Sequence, residues 1–137
     1  MRRLIAFFLL ALAVAGCGTA PRDSAQDFKG DKRSVAAVAE RLESAARDDK
    51  PDVVCSQLLS AKLLDVLRRQ GTNCKTGVKE SFQDAGSFDI TVDDVAIRGT
   101  RATAEVSYRR GSEDRNATLE LDREGGAWKI TAGIIGS

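Results

Sequence analysis

Histidine is missing from the sequence, and aromatic residues make up only 5% of it. Histidine is the usual general base near neutral pH and the commonest zinc ligand, so histidine-dependent catalytic triads and histidine-based metal sites are excluded. The glycine patterns of dinucleotide-binding and phosphate-binding loops are also missing. The sequence therefore predicts a protein that is not an enzyme and that uses neither a cofactor nor a metal ion.

The sequence also lacks an excess of charge of either sign. It has 21 basic and 20 acidic residues, which gives a formal net charge of +1. A nucleic-acid-binding domain normally carries a clear basic excess. We therefore expect no nucleic-acid partner, and a chain of 137 residues is long enough for one domain with a modest core.

Long apolar runs are absent apart from one at the start of the chain. Leu4–Val14 is uninterrupted and follows two arginines, a pattern typical of a signal peptide and too short for a stable membrane span. The next residues, Val14-Ala15-Gly16-Cys17, resemble the lipobox of bacterial lipoproteins. We therefore predict a signal peptide at residues 1–16 and a fatty-acylated (palmitate-bearing) Cys17. The alternative is cleavage after Ala15, which would leave a soluble exported protein.

Cysteine is scarce, and its count supports lipidation. Three cysteines would leave one reactive thiol in an oxidising compartment, whereas a lipid on Cys17 leaves Cys55 and Cys74 as a pair. We predict a disulfide between Cys55 and Cys74, and their wide spacing disfavours the alternative of a redox-active pair. The predicted location is the extracytoplasmic face of the cell membrane, or the outer membrane if the envelope has two.

Residues 17–30 lack an apolar period and are rich in small and polar residues, which predicts a lipidated N-terminus and a flexible tether. Phe28 is the one large apolar residue of the tether. It either packs onto the domain or is exposed to solvent.

Helical spacing begins after the tether. Asp31 is expected to cap a first helix, whose apolar stripe is Val35, Val38, Ala39, Leu42, Ala45 and Ala46. Its polar face is predicted to carry Lys32, Arg33, Glu40, Arg41, Glu43 and Arg47. A short second helix follows Pro51, Ser60 can cap a third, and Cys74, Val78 and Phe82 predict a fourth. The buried stripe of the third helix is Leu63, Leu64 and Leu67.

From Ser87 the apolar period changes from helical spacing to two, the period of a strand. The parity of the apolar positions shifts at Asp93-Asp94, which predicts a β-bulge, with a turn as the alternative. Three glycine-containing turns, at Gly99-Thr100, Gly111-Ser112 and Gly125-Gly126, then separate four strands. The predicted class is α+β: N-terminal helices packed on a curved antiparallel four-stranded meander sheet, forming a single roll domain at residues 31–137.

Several short motifs carry a resemblance to a known family. They are Cys55-Ser56-Gln57-Leu58-Leu59, Cys74, Val95-Ala96-Ile97-Arg98-Gly99, Ala102-Thr103-Ala104-Glu105-Val106 and Glu124-Gly125-Gly126-Ala127-Trp128-Lys129-Ile130. With this order of elements, residues 32–135 resemble small bacterial lipoproteins that have a nuclear-transport-factor-two-like domain, a cystatin-like roll. The resemblance implies a cone-shaped domain, which in this superfamily often dimerises through its sheet.

The resemblance also implies an internal cavity. Its predicted lining is Leu42, Phe88, Val106, Tyr108 and Trp128, although Tyr108 and Trp128 equally suit a packed core. Enzymes of the superfamily, isomerases and cyclases, use a carboxylate in the cavity, and Asp84 and Asp89 lie nearest its entrance in sequence. Strand alternation directs Asp89 outward, which opposes proton transfer with Tyr108.

The function that these observations predict is non-catalytic. We expect a lipid-anchored protein of the bacterial envelope that binds a partner protein or a small apolar ligand, with a homodimer through the sheet as a further possibility. An isomerase-like or cyclase-like enzyme and a purely structural module are the two alternatives.

Overall fold

The computed structural model describes residues 23–86 and 88–133. The predicted signal peptide and Cys17 lie outside the described residues. A 3₁₀ turn and four helices precede four strands. Their bounds are Ser24–Asp27 for the 3₁₀ turn, Gly30–Arg47 for α1, Pro51–Val53 for α2 with a π-helical turn at Val54–Leu58, Ala61–Arg69 for α3, Cys74–Ala85 for α4, Phe88–Arg98 for β1, Arg101–Arg110 for β2, Glu113–Glu124 for β3 and Ala127–Ala132 for β4.

Helix α1 starts slightly earlier than its sequence suggests. Lys29 occupies the N-cap position without a side-chain capping bond, and Asp31 lies in the first turn. The prediction of Asp31 as the cap is therefore wrong. A carboxylate in the first turn still favours the helix through its dipole.

The short helices depend on proline and serine. Pro51 occupies the first turn of α2, where its missing N–H costs nothing. The Ser60 side chain accepts a hydrogen bond from the Leu63 backbone N–H (3.1 Å), which confirms Ser60 as the cap of α3. The Ser60 backbone N–H donates to the Ile130 carbonyl of β4 (2.8 Å), so α3 starts at the edge of the sheet.

The sheet has the strand order β1-β2-β3-β4, and neighbouring strands are antiparallel. The register between β1 and β2 shifts between Val92 and Asp94, which confirms the predicted bulge. The strands end and restart around the three predicted glycine turns. This arrangement is the predicted meander.

The helices cover one face of the sheet and create a single hydrophobic core. It is built from the apolar stripe of α1, the π-helical turn, α4 and the inward positions of all four strands. On β2, for example, Ala102, Ala104 and Val106 are buried, while Arg101 and Glu105 are exposed. The α+β roll predicted from the periodicity is therefore confirmed. Within the described part of the chain, no helix combines the length and the apolar character that crossing a membrane requires.

Candidate functional site

The residues predicted to line an internal cavity lie in or next to the core. Leu42 of α1 is 0% exposed, Val106 of β2 is 1% exposed and Trp128 of β4 is 5% exposed. Phe88 and Tyr108 are half-buried at the border of the same core, and their ring centroids are 6.2 Å apart. Leu42, Val106 and Trp128 thus pack the interior, as the alternative reading of Trp128 expected.

Arg123 of β3 links the start of α1 to Trp128 of β4. The Arg123 guanidinium lies 5.4 Å from the centre of the Trp128 ring, within the range of a cation–π interaction. The same guanidinium lies 3.5 Å from an Asp31 carboxylate oxygen. The buried indole Nε1 has no hydrogen-bond partner among the described residues.

A cleft of about 460 Å³ crosses the face of the sheet that the described helices leave uncovered. We call it the sheet-face cleft, and its lining is Lys62, Ala96, Arg98, Arg101, Ala102, Thr103, Glu120, Leu121, Asp122 and Thr131. Three basic and two acidic side chains surround a small neutral centre. Arg101 Nε and the Asp122 carboxylate are 3.9 Å apart. The cleft can therefore offer hydrogen bonds and charges of both signs to a polar partner.

A second cavity of about 440 Å³ lies at the other end of the same face. It is lined by Asp89, Thr91, Ser107, Tyr108, Arg109 and Asp114. Asp89 and Tyr108 both border this cavity, but Asp89 points to the exposed face, whereas the Tyr108 ring lies beside Phe88 at the border of the core. Both Asp84 and Asp89 are exposed to solvent, as the strand alternation predicted for Asp89.

Among the described residues, the buried carboxylate is that of Glu43, a residue assigned above to the polar face of α1. Glu43 is 9% exposed; one carboxylate oxygen accepts a hydrogen bond from the Ile90 backbone N–H of β1 (3.0 Å), and the other pairs with Arg47. The assignment of Glu43 to the polar face is therefore wrong. Its spacing from Ala36 and Ala39, both fully buried, places it on their face of the helix and could have revealed this.

The last part of the predicted tether is packed onto the domain. In the 3₁₀ turn Ser24–Asp27, which we call the strap, Ser24 and Ala25 are buried. The Ser24 hydroxyl oxygen accepts a hydrogen bond from the Val92 backbone N–H (3.0 Å). Phe28 packs against the core, which decides between its two predicted positions. The tether prediction does not hold for residues 24–28, because β1 supplies edge donors that the strap and Glu43 satisfy.

A pair of carboxyl groups holds the strap against α1. The Ala25 backbone N–H donates to a Glu40 carboxylate oxygen (2.6 Å). Burial raises the pKa of Glu40, and the neighbouring negative charges of Asp23 and Glu43 act in the same direction. The hydrogen bond with Glu40 lowers the pKa of Asp23. The two carboxyl groups thus titrate in opposite directions from their ordinary pKa values where the strap meets α1.

The predicted disulfide is present between Cys55 and Cys74, whose Cα atoms are 6.1 Å apart. It links the π-helical turn to the first residue of α4. Among the described residues, no group of three or more potential metal ligands comes together.

The comparisons with known proteins concern the fold. The sequence matches no protein-family model and no curated protein. Two solved structures are similar to this protein, and each match covers 76% of this chain and 97% of the other chain. One is named Rd1NTF2_05, and the other is described as an NTF-2 like protein of unknown function from Shewanella oneidensis MR-1. Their TM-scores are 0.56 and 0.51, at 10% and 13% sequence identity.

The domain has the NTF2-like fold. At these identities the NTF2-like similarity describes architecture alone, since one fold hosts many activities. The function of this NTF2-like domain must therefore be argued from its own surfaces, such as the sheet-face cleft.

Proposed function

We propose that this protein is a non-catalytic, lipid-anchored binding module of the bacterial cell envelope, and that it holds a partner protein on the exposed face of its sheet. The sheet-face cleft is the observation that carries the binding role. The cleft has a volume of about 460 Å³, and basic, neutral and acidic side chains line it. Such a mixed, half-open surface suits polypeptide contacts, which combine apolar and polar groups.

The interior favours a protein partner over a small apolar ligand. An apolar ligand needs a cavity lined by apolar side chains. Leu42, Val106 and Trp128, which were expected to line one, are packed in the core. The cleft lies on the other side of the sheet and takes no residue from α1.

Proton-transfer chemistry receives less support. A catalytic carboxylate of the isomerase type needs a buried position beside its substrate. The buried Glu43 carboxylate already accepts a hydrogen bond from the Ile90 N–H and forms an ion pair with Arg47. Asp84 and Asp89 are exposed.

The envelope location rests on the sequence and on the disulfide. The N-terminal apolar run followed by Val14-Ala15-Gly16-Cys17 supports export and lipidation. A disulfide between Cys55 and Cys74 suits an oxidising compartment. Two or three acyl chains on Cys17 would hold the protein durably at the membrane surface.

The anchor is tested by Cys17→Ala. We expect this variant to leave the mature, membrane-bound form and to collect either as uncleaved precursor or in the soluble fraction, because the acylated thiol is lost. Cell fractionation with intact-mass measurement reads out both species. Cys55→Ala serves as the control, since it also removes one cysteine but should leave membrane association unchanged. Wild-type fractionation of the Cys17→Ala chain would contradict lipidation.

The binding face is tested by placing a photo-cross-linking amino acid at Thr103, inside the cleft. We expect illumination of intact cells to yield a discrete cross-linked band, because a bound partner would cover this position. The same amino acid at Ser44, exposed on α1, should give none. A product of twice the chain's mass identifies a second copy, and any other mass identifies a different envelope protein. Equal labelling from both positions would overturn the proposed binding face.

A further inference from the structure

Helix α3 is less buried than its sequence predicts. Leu63, Leu64 and Leu67 were expected to be buried, yet α3 contains no buried residue and all three leucines are half-buried. Val66 is 36% exposed, more than any other large hydrophobic residue among the described residues. The helix packs against β4 and α4, and its three leucines contact the hydrophobic core. Val66 and the exposed parts of the leucines thus form a small apolar surface beside the part of α3 that packs on the domain.

The polar residues of α3 are placed at the borders of that apolar surface. At 3.6 residues per turn, Val66 and the three leucines span an arc of roughly 160°. Lys62 and Arg69 lie next to Val66 at one border of the arc, and Arg68 lies next to Leu64 at the other. An apolar arc with basic residues at both borders is typical of helices that lie in a membrane interface.

The charge of this surface is basic. Arg68 and Arg69 have side chains 80% and 74% exposed, and both pair with Asp65. Their hydrogen bonds lower the pKa of Asp65. Since one carboxylate faces three cations on the helix, the helix remains positive. Lys62 also borders the sheet-face cleft, where Arg98 and Arg101 lie together with Glu120 and Asp122.

We propose that α3 docks on anionic lipid headgroups, with Val66 and the exposed parts of its leucines inserted at the membrane surface. The occupant is argued from charge complementarity, because basic side chains near an anionic leaflet attract it while apolar side chains add burial. This proposal rests on the lipid anchoring proposed above. Residues 17–22, between the acylated cysteine and the strap, can span at most roughly 20 Å. The anchor would therefore keep the domain at the membrane surface, with the strap at the β1 edge of the sheet and α3 at the β4 edge.

The test uses the mature chain, residues 17–137, with Cys17→Ser so that no acyl group contributes. We expect it to co-sediment with phosphatidylglycerol vesicles and not with phosphatidylcholine vesicles, and the bound fraction should fall at high salt. Val66→Glu should weaken binding at least tenfold, because it places a negative charge in the apolar arc. Gln83→Glu adds the same charge to exposed α4 and should leave binding unchanged. Val66→Leu should also retain it.

The outcomes separate this proposal from the anchoring itself. Failure of the unlipidated chain to bind phosphatidylglycerol vesicles overturns the docking of α3, whatever the fractionation of the Cys17 variants shows. Equal loss in Val66→Glu and Gln83→Glu also overturns it, since the effect would then be one of net charge. Circular dichroism of both variants checks that they remain folded. If vesicle binding is absent but cross-linking at position 66 captures an envelope protein, α3 belongs to a protein interface instead.

Discussion

Replacing both Cys55 and Cys74 with alanine should lower the free energy of unfolding by about 3 kcal/mol, the largest loss that we expect from a surface-proximal change. The bond joins residues 19 positions apart and ties the π-helical turn to α4. In the chain-entropy account, its loss enlarges the unfolded ensemble, and the folded state gains nothing in return. For a domain of this size the melting temperature should fall on the order of 10–20 °C.

Thermal or urea unfolding of the mature chain measures this loss. Reduction of the wild-type protein with a dithiol should reproduce most of it, because both treatments remove the same cross-link. Under non-reducing conditions, the folded wild-type protein should offer no alkylatable thiol from these two positions. A double variant that unfolds with the wild-type midpoint would show that the bridge contributes no stability.

Glu43→Ala should destabilise the domain by about 2 kcal/mol. The change leaves the Ile90 backbone N–H buried without its acceptor and removes the partner of Arg47. An unsatisfied buried donor carries the full cost of its desolvation, which is larger than the net value of an ordinary hydrogen bond. We expect the melting temperature to fall by roughly 10 °C.

Two matched variants isolate the cause. Glu43→Gln keeps a carbonyl oxygen for the Ile90 N–H and should lose less than half as much stability as Glu43→Ala. Ser44→Ala changes the exposed neighbour on the same helix and should remain within about 0.5 kcal/mol of the wild type. If Glu43→Ala and Ser44→Ala unfold at the same denaturant concentration, the hydrogen bond between the Ile90 N–H and Glu43 does not stabilise the fold.

The elements of this fold could be predicted because each has a local cause. Apolar spacing of three to four residues specified α1, and alternation specified the strands. The change of parity at Asp93-Asp94 located the bulge, since one extra residue is what returns the apolar side chains to the inner face. The cap at Ser60 is equally local, because donor and acceptor lie three residues apart.

Apart from the N-cap of α1, the features that prediction missed join distant parts of the chain. Glu43 bonds to a backbone group 47 positions away, and Ser24 to one 68 positions away. Nothing near Ser24 in the sequence indicates that its hydroxyl will accept a hydrogen bond from a backbone N–H of the edge strand β1. The half-buried state of α3 likewise depends on how few elements pack over it. The sheet-face cleft combines residues of α3 with residues of the sheet.

The sequence alone determines the class of the domain, the order of its elements and the pairing of Cys55 with Cys74. These follow from periodicity, turn residues and cysteine count, which are properties of neighbouring residues or of composition. The predicted export and lipidation at Cys17 also belong to the sequence, outside the described residues. Tertiary structure alone decides that Glu43 bonds to the Ile90 N–H, that the strap covers the edge of β1 and that α3 is only half-buried. These contacts are set by which elements pack against one another, and short-range patterns do not contain that information.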